Sequence, residues 1–274
     1  MAFFKENKCF LIWLSAVCLS VVFRLVIMLK LTEYDTGFIK SSAFGITVTL
    51  FVVFLLIVVF AASFISASAV EAKKTQKHFL ITSLFSFALG VSTAVSCVLD
   101  NYSGVPAFLR ILCVCFGVLS AVFFIAFALR PFIHFSFSPM FTAIPLIFLI
   151  VKSAVIFIKC SYHTLINDTL FDVGAYCLSM LLFLEIARST NNGGDKNSIK
   201  KFSAFCTSAS IFLFCASVPK ILLAVFNSSA LNIGIGDSVF LLFLGAFTSS
   251  LLFARVNFAK EGRHRSGVYY TGKH

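Results

Sequence analysis

Charge is what this chain has least of. Only 12% of its 274 residues are charged, against about 25% in a soluble globular protein. Acidic residues number 11, and there are five prolines and a single tryptophan. So few polar groups cannot cover a soluble surface, so a water-soluble fold is excluded. The patterns that carry catalysis are missing too. There is no H-E-x-x-H, no G-x-S-x-G, no glycine-rich phosphate loop and no pair of carboxylates at helical spacing. The five histidines are scattered. Nothing here points to an enzyme, and no cofactor or metal is expected. The net charge of +11 is not gathered in a soluble basic domain, so nucleic-acid binding is not expected either.

Apolar runs take up most of the chain. Apolar residues make up 59% of it, and the mean hydropathy is +1.00. A helix crosses a bilayer with about 20 apolar residues. Eight runs meet that length: 9–30, 43–70, 79–99, 107–129, 140–158, 170–187, 202–226 and 237 to about 258. The stretch 51–60, FVVFLLIVVF, does not alternate, so it is not a barrel strand. The first run follows Lys5 and Lys8 like a signal peptide. It extends past Arg24 with no small-residue cleavage site, which reads as an uncleaved helix. The expectation is an all-α polytopic membrane bundle of about eight transmembrane helices over 1–258. A basic, disordered cytoplasmic tail over 259–274 would follow.

Basic residues set the orientation, because cytoplasmic loops carry the excess of lysine and arginine. Alternate loops and ends hold 15 basic residues on one side and three on the other. Both termini are therefore expected in the cytoplasm, and the alternation holds through eight spans. The cytoplasmic side alone accounts for a charge of +11, so the basic excess reads as a signature of insertion.

Several weaker patterns have plain explanations. Of nine cysteines, all but Cys160 fall within spans, where cysteine packs as a small apolar residue. Cys113 and Cys115 form an isolated C-x-C, which is weak as a metal motif. Asn101, Asn167 and Asn227 open glycan-acceptor triplets, but in short loops hugging the membrane. Residues 191–195 form a turn-rich linker. The 36 phenylalanines suit a lipid-facing surface. Small residues let helix backbones approach in lipid. Packing seams are expected along Ser86, Gly90 and Ala94, along 61–69, and along Gly245 with Ser249 and Ala246 with Ser250.

Four cations remain inside the spans: Arg24, Arg110, Lys152 and Lys220. The topology places all four in the outer half of the membrane, where intramembrane charge is a functional signal by default. Six acids share that side, among them Asp35, Asp172 and Asp237. The last two hairpins echo each other, as Lys152, Asp172 and Arg188 recur as Lys220, Asp237 and Arg255. One reading is snorkelling with ion pairs, Lys152 to Asp172 and Lys220 to Asp237. The other is an outward-facing cationic pocket for an anionic lipid or small anion, with Pro145 and Pro219 loosening the helices nearby. Glu185 is expected to pair with Arg188 at i,i+3. No carboxylate falls at the midplane, which counts against an ion-coupled carrier.

Residues 33–38 read Glu-Tyr-Asp-Thr-Gly-Phe, and 218–222 read Val-Pro-Lys-Ile-Leu. Together with the span layout, these resemble a group of uncharacterised clostridial (Firmicutes) multi-pass membrane proteins. Those carry a Tyr-Asp…Thr-Gly-Phe turn after the first helix and a Leu-Pro-Arg-like triplet in a late one. This chain has Lys220 where the group has arginine. The resemblance implies a bacterial cytoplasmic membrane and no defined activity. The sequence thus leaves two expectations: a non-enzymatic sensor or accessory subunit, or a transporter or binder of an anionic amphiphile or small anion.

Overall fold

The computed structural model describes residues 2–31, 76–99, 104–130, 138–162, 166–192, 196–226 and 235–254, and the single positions Ile46, Leu50, Val53, Phe54 and Ile57. Among these residues the chain is all-helical, with seven α-helices and no strand. They are α1 (Ala2–Val26), α2 (Gln76–Leu99), α3 (Ala107–Leu129), α4 (Pro139–Tyr162), α5 (Ile166–Asn192), α6 (Lys196–Phe226) and α7 (Ile235–Ala254). A π-helical turn, Ile27–Leu31, continues α1. The helices α4 and α6 run through Pro145 and Pro219 without a break. Apart from its five single positions, the second apolar run lies outside the described residues. So do the seam at 61–69, Asp35, Asn101, Asn227 and the tail from 255 on.

The bundle is apolar on the outside and places its hydroxyls and ion pairs inside, within an apolar core. On α2 the exposed residues Leu80, Leu84, Phe87, Val91, Val95 and Val98 form one stripe, while Thr82, Ser83, Ser86, Thr93 and Ser96 are buried. The single described positions of the second run, Ile46, Leu50, Val53, Phe54 and Ile57, are helical and exposed at helical spacing. This pattern fits a bilayer solvent, where lipid meets apolar side chains and hydroxyls turn inward. Among the described residues, five stretches are long and apolar enough to cross a membrane: Phe10–Leu29, Leu80–Val98, Ala107–Leu129, Met140–Lys159 and Lys201–Phe226. Gly236–Leu252 is a shorter apolar helix. The helix α5 fills the sixth run and is less apolar because it holds Asp172, Glu185 and Arg188.

Each helix from α2 to α6 packs against the next, and α7 packs back on α2. This closes a ring of six. The helix α1 lies outside the ring against α6. It runs parallel to α6, since Trp13 bonds Ser210 and the Ser20 carbonyl accepts from Cys215. Aromatic rings fill the centre of the ring. Phe124 of α3 touches Phe183 of α5 and Phe247 of α7, and Phe148 of α4 meets Phe240 of α7 edge-on. These phenylalanines are buried, so the lipid-facing role expected for phenylalanine holds for only some of them. Composition shows how many rings there are, not which way each points.

The α2–α3 seam is real but shifted from its expected line. Ser83 and Ser86 donate to the carbonyls of Ala128 and Phe124. Gly90 sits so close to α3 that a Cβ there would come 2.9 Å from Ile125 and 3.1 Å from the Ala121 carbonyl. Ala94 is exposed, and the seam continues instead to Cys97, whose Sγ would be 2.1 Å from a Cβ on Gly117. A strict four-residue spacing drifts around a helix of 3.6 residues per turn, so the third small residue leaves the contact. On α7, Gly245 backs onto Leu213 and Phe214 of α6, and the Ser250 carbonyl accepts from Thr82 of α2. The two expected stripes therefore serve two neighbours.

Candidate functional site: a buried ion-pair layer

Antiparallel packing brings the carboxyl ends of α4 and α6 to the same end of the bundle as the amino ends of α5 and α7. Arg24 and Lys220 sit towards helix carboxyl ends and the aspartates towards amino ends, with Arg24 in the last turn of α1 and Asp237 in the first turn of α7. Those two terminal charges complement the dipoles of their helices.

Lys152 lies 2.7 Å from Asp237, with side-chain exposures of 0% and 21%. Lys220 lies 2.5 Å from Asp172, with exposures of 6% and 14%. Both lysines are therefore ion-paired, and both aspartates are partners, but the pairing is exchanged relative to the sequence expectation. Each lysine reaches the aspartate of the other hairpin, not that of its own. Adjacency alone does not decide the choice, since α5 packs on both α4 and α6, and α6 on both α5 and α7; the faces of α5 and α6 that meet set Lys220 against Asp172. Across the centre, the Phe148–Phe240 contact holds α4 to α7. Lys152 is one helical turn from Phe148 and Asp237 is one turn from Phe240, so the second pair spans the ring.

Tyr176 connects the two pairs. It is fully buried and stacks on Phe240, with ring centroids 6.2 Å apart and planes at 15°. Asp172 precedes Tyr176 by one turn and Asp237 precedes Phe240 by one turn, so both aspartates lie on the same side of the stack. Nothing in the sequence reading singled out Tyr176. Its signal was there, since it is the one tyrosine inside an apolar run and it lies one turn from an acid.

The other candidate cations divide. Arg24 is 2% exposed. Its guanidinium lies 3.8 Å from the centroid of the Phe171 ring, beside Asp172. Arg24 thus joins the layer from α1. Arg110 is exposed, in the first turn of α3. Glu185, at the far end of α5, is buried whereas Arg188 is exposed.

Hydroxyl groups near the layer are engaged by backbone. Ser217 donates to the Leu213 carbonyl and Ser179 to the Ala175 carbonyl, the usual arrangement for serine within a helix. Cys113 is buried and Cys115 exposed, so the C-x-C sulfurs do not face a common point. Among the described residues, no group of three or more His, Cys, Asp or Glu is placed to hold a metal ion. No family model matches the chain, and no curated protein or solved structure matches it either.

Proposed function

We propose that this chain is a non-enzymatic protein of a bacterial cytoplasmic membrane, a sensor or an accessory subunit, with both termini in the cytoplasm. The observation that carries this reading is the pairing of Lys152 and Lys220 with aspartates of the opposite hairpin. The layer's charges join helices to one another, an arrangement suited to holding or switching a bundle. The bacterial assignment rests on the resemblance at 33–38 and 218–222, and the orientation rests on the basic residues of the loops. The test is to extract the full tagged chain from its native membrane in mild detergent and resolve it by size. A stoichiometric protein partner, with no solute flux by the lone chain in liposomes, supports the reading. Flux or turnover by the lone chain contradicts it.

A second reading is a binder or carrier of an anionic amphiphile or small anion through Arg24, Arg110, Lys152 and Lys220. The burial of Arg24, Lys152 and Lys220 at one end of the bundle favours it. The exposure of Arg110 and the two carboxylate partners weigh against it. Saturable binding of sulfate or of phosphatidylglycerol vesicles, lost in Arg24→Gln, would establish it. Equal binding by wild type and variant would remove it.

A further inference from the structure

We infer that α1 is a latch on the closed ring. It undocks from α6 as a unit while the other six helices stay packed, and Arg24 is the catch that holds it. The inference goes beyond the proposed function, because the movement is measurable whether or not the chain has a protein partner.

Three observations carry it. First, every helix of the ring packs along two neighbours or more. Among the described residues, α1 packs along α6 alone and reaches α5 at Arg24. Second, α1 buries one narrow line. Ala16, Ser20, Arg24, Ile27 and Met28 are buried, and their spacing sets them on one face of the helix. Leu11, Ile12, Leu19, Val22 and Leu29 are exposed around that line. Third, the line is fastened at separate polar points. Trp13 Nε1 donates to Ser210 Oγ at 2.8 Å, and the Cys215 thiol donates to the Ser20 carbonyl at 3.6 Å. The Arg24 guanidinium lies 3.8 Å from the Phe171 ring centroid. Just beyond Arg24 the helix changes to the π-turn Ile27–Leu31, a geometry frequent at functional positions.

The solvent decides which helix moves. Lipid is as apolar as the protein interior, so no hydrophobic force holds an apolar helix to its neighbour. An undocking helix gives up close packing and polar contacts only. The helix α1 gives up one line, whereas a ring helix gives up two faces, and α4 to α7 give up ion pairs as well. Local opening therefore costs least at α1. Arg24 sets most of that cost, because undocking takes a buried guanidinium off an aromatic face and out of the charged layer. The movement uncovers the side of α6 that holds Ser210 and Cys215, and it removes a cation from beside Asp172. The latch thus couples the position of α1 to the Lys220–Asp172 pair.

The chain's own cysteines supply the test. Cys215 is buried under α1, while Cys97 and Cys113 are buried within the ring. The full chain in mild detergent is reacted with N-ethylmaleimide, and modification of each cysteine is followed by peptide mass spectrometry. Each rate is divided by the rate for the same cysteine in the denatured chain. Cys215 should react about tenfold or more faster than Cys97 and Cys113 in the wild type. Arg24→Gln and Trp13→Phe should each raise the Cys215 rate about fivefold or more and leave the other two unchanged. Equal rates for the three cysteines in the wild type would overturn the proposal, since all three would then report global unfolding. So would variants that speed all three alike, or that leave Cys215 unmoved. If Arg24→Gln does not fold, Trp13→Phe decides by itself.

Discussion

A lysine carried to the middle of a membrane helix costs about 2.5–3.5 kcal/mol on insertion scales, and a paired one must recover that from its partner. At the residue scale, Lys152 shows how: fully buried, it lies within ion-pair distance of Asp237 in the first turn of α7. Arg24 is held differently, with its guanidinium over the Phe171 ring, and a desolvated contact of that kind contributes about 2 kcal/mol. Phe171→Leu keeps an apolar side chain but removes the ring. It is expected to lower stability by about 2 kcal/mol and to shift Trp13 emission as α1 loosens from α6, both measurable by detergent denaturation with fluorescence. Arg24→Lys should lose a similar amount, because a compact ammonium does not stack as a planar guanidinium does. That Arg24, Lys152 and Lys220 matter was legible in the sequence, since charge inside an apolar run stands out. Which acid each lysine takes was not legible, because that depends on which helix faces meet inside the bundle.

Close approach governs the elements. A Cβ on Gly117 would sit 2.1 Å from Cys97 Sγ and 3.1 Å from the Phe148 ring, so α2, α3 and α4 meet at a point with room for hydrogen alone. Gly117→Ala should destabilise the bundle by about 1–3 kcal/mol through overpacking. Adding Cys97→Ala, which removes the sulfur, should restore part of that loss in the same denaturation assay. Ser86→Ala removes a hydrogen bond to the Phe124 carbonyl and should cost only about 0.6 kcal/mol, the mean for such bonds between membrane helices. The seven described helices were readable from apolar run length, but not all their limits: α3 matches its run, whereas α6 starts six residues earlier and α5 extends four residues before and five beyond its run. The seam was readable only for its first two members, Ser86 and Gly90, because helix drift then replaces Ala94 with Cys97.

At the scale of the whole bundle, among the described residues, six helices close a ring around a plug of aromatic side chains, α1 packs outside against α6, and the charged layer lies at one end of the plug. The orientation proposed from the basic residues of the loops has both termini in the cytoplasm. A protease added to the outside of intact cells should therefore leave tags at either end uncut, whereas cleavage of one tag alone would require an odd number of spans. The ring itself was not legible, because closure of α7 on α2 is a contact between distant segments of nearly uniform apolar sequence. The exchanged pairs join the two hairpins, so the pairing tests how the hairpins pack. The most direct measurement is a set of four double-mutant cycles, with each lysine changed to Met and each aspartate to Leu, scored by stability in detergent. Reciprocal pairing requires coupling of about 1–3 kcal/mol for Lys152 with Asp237 and for Lys220 with Asp172, and about 0.5 kcal/mol or less for Lys152 with Asp172 and for Lys220 with Asp237. Strong coupling in the second set and none in the first would contradict the exchanged pairs and the packing of the two hairpins that they require.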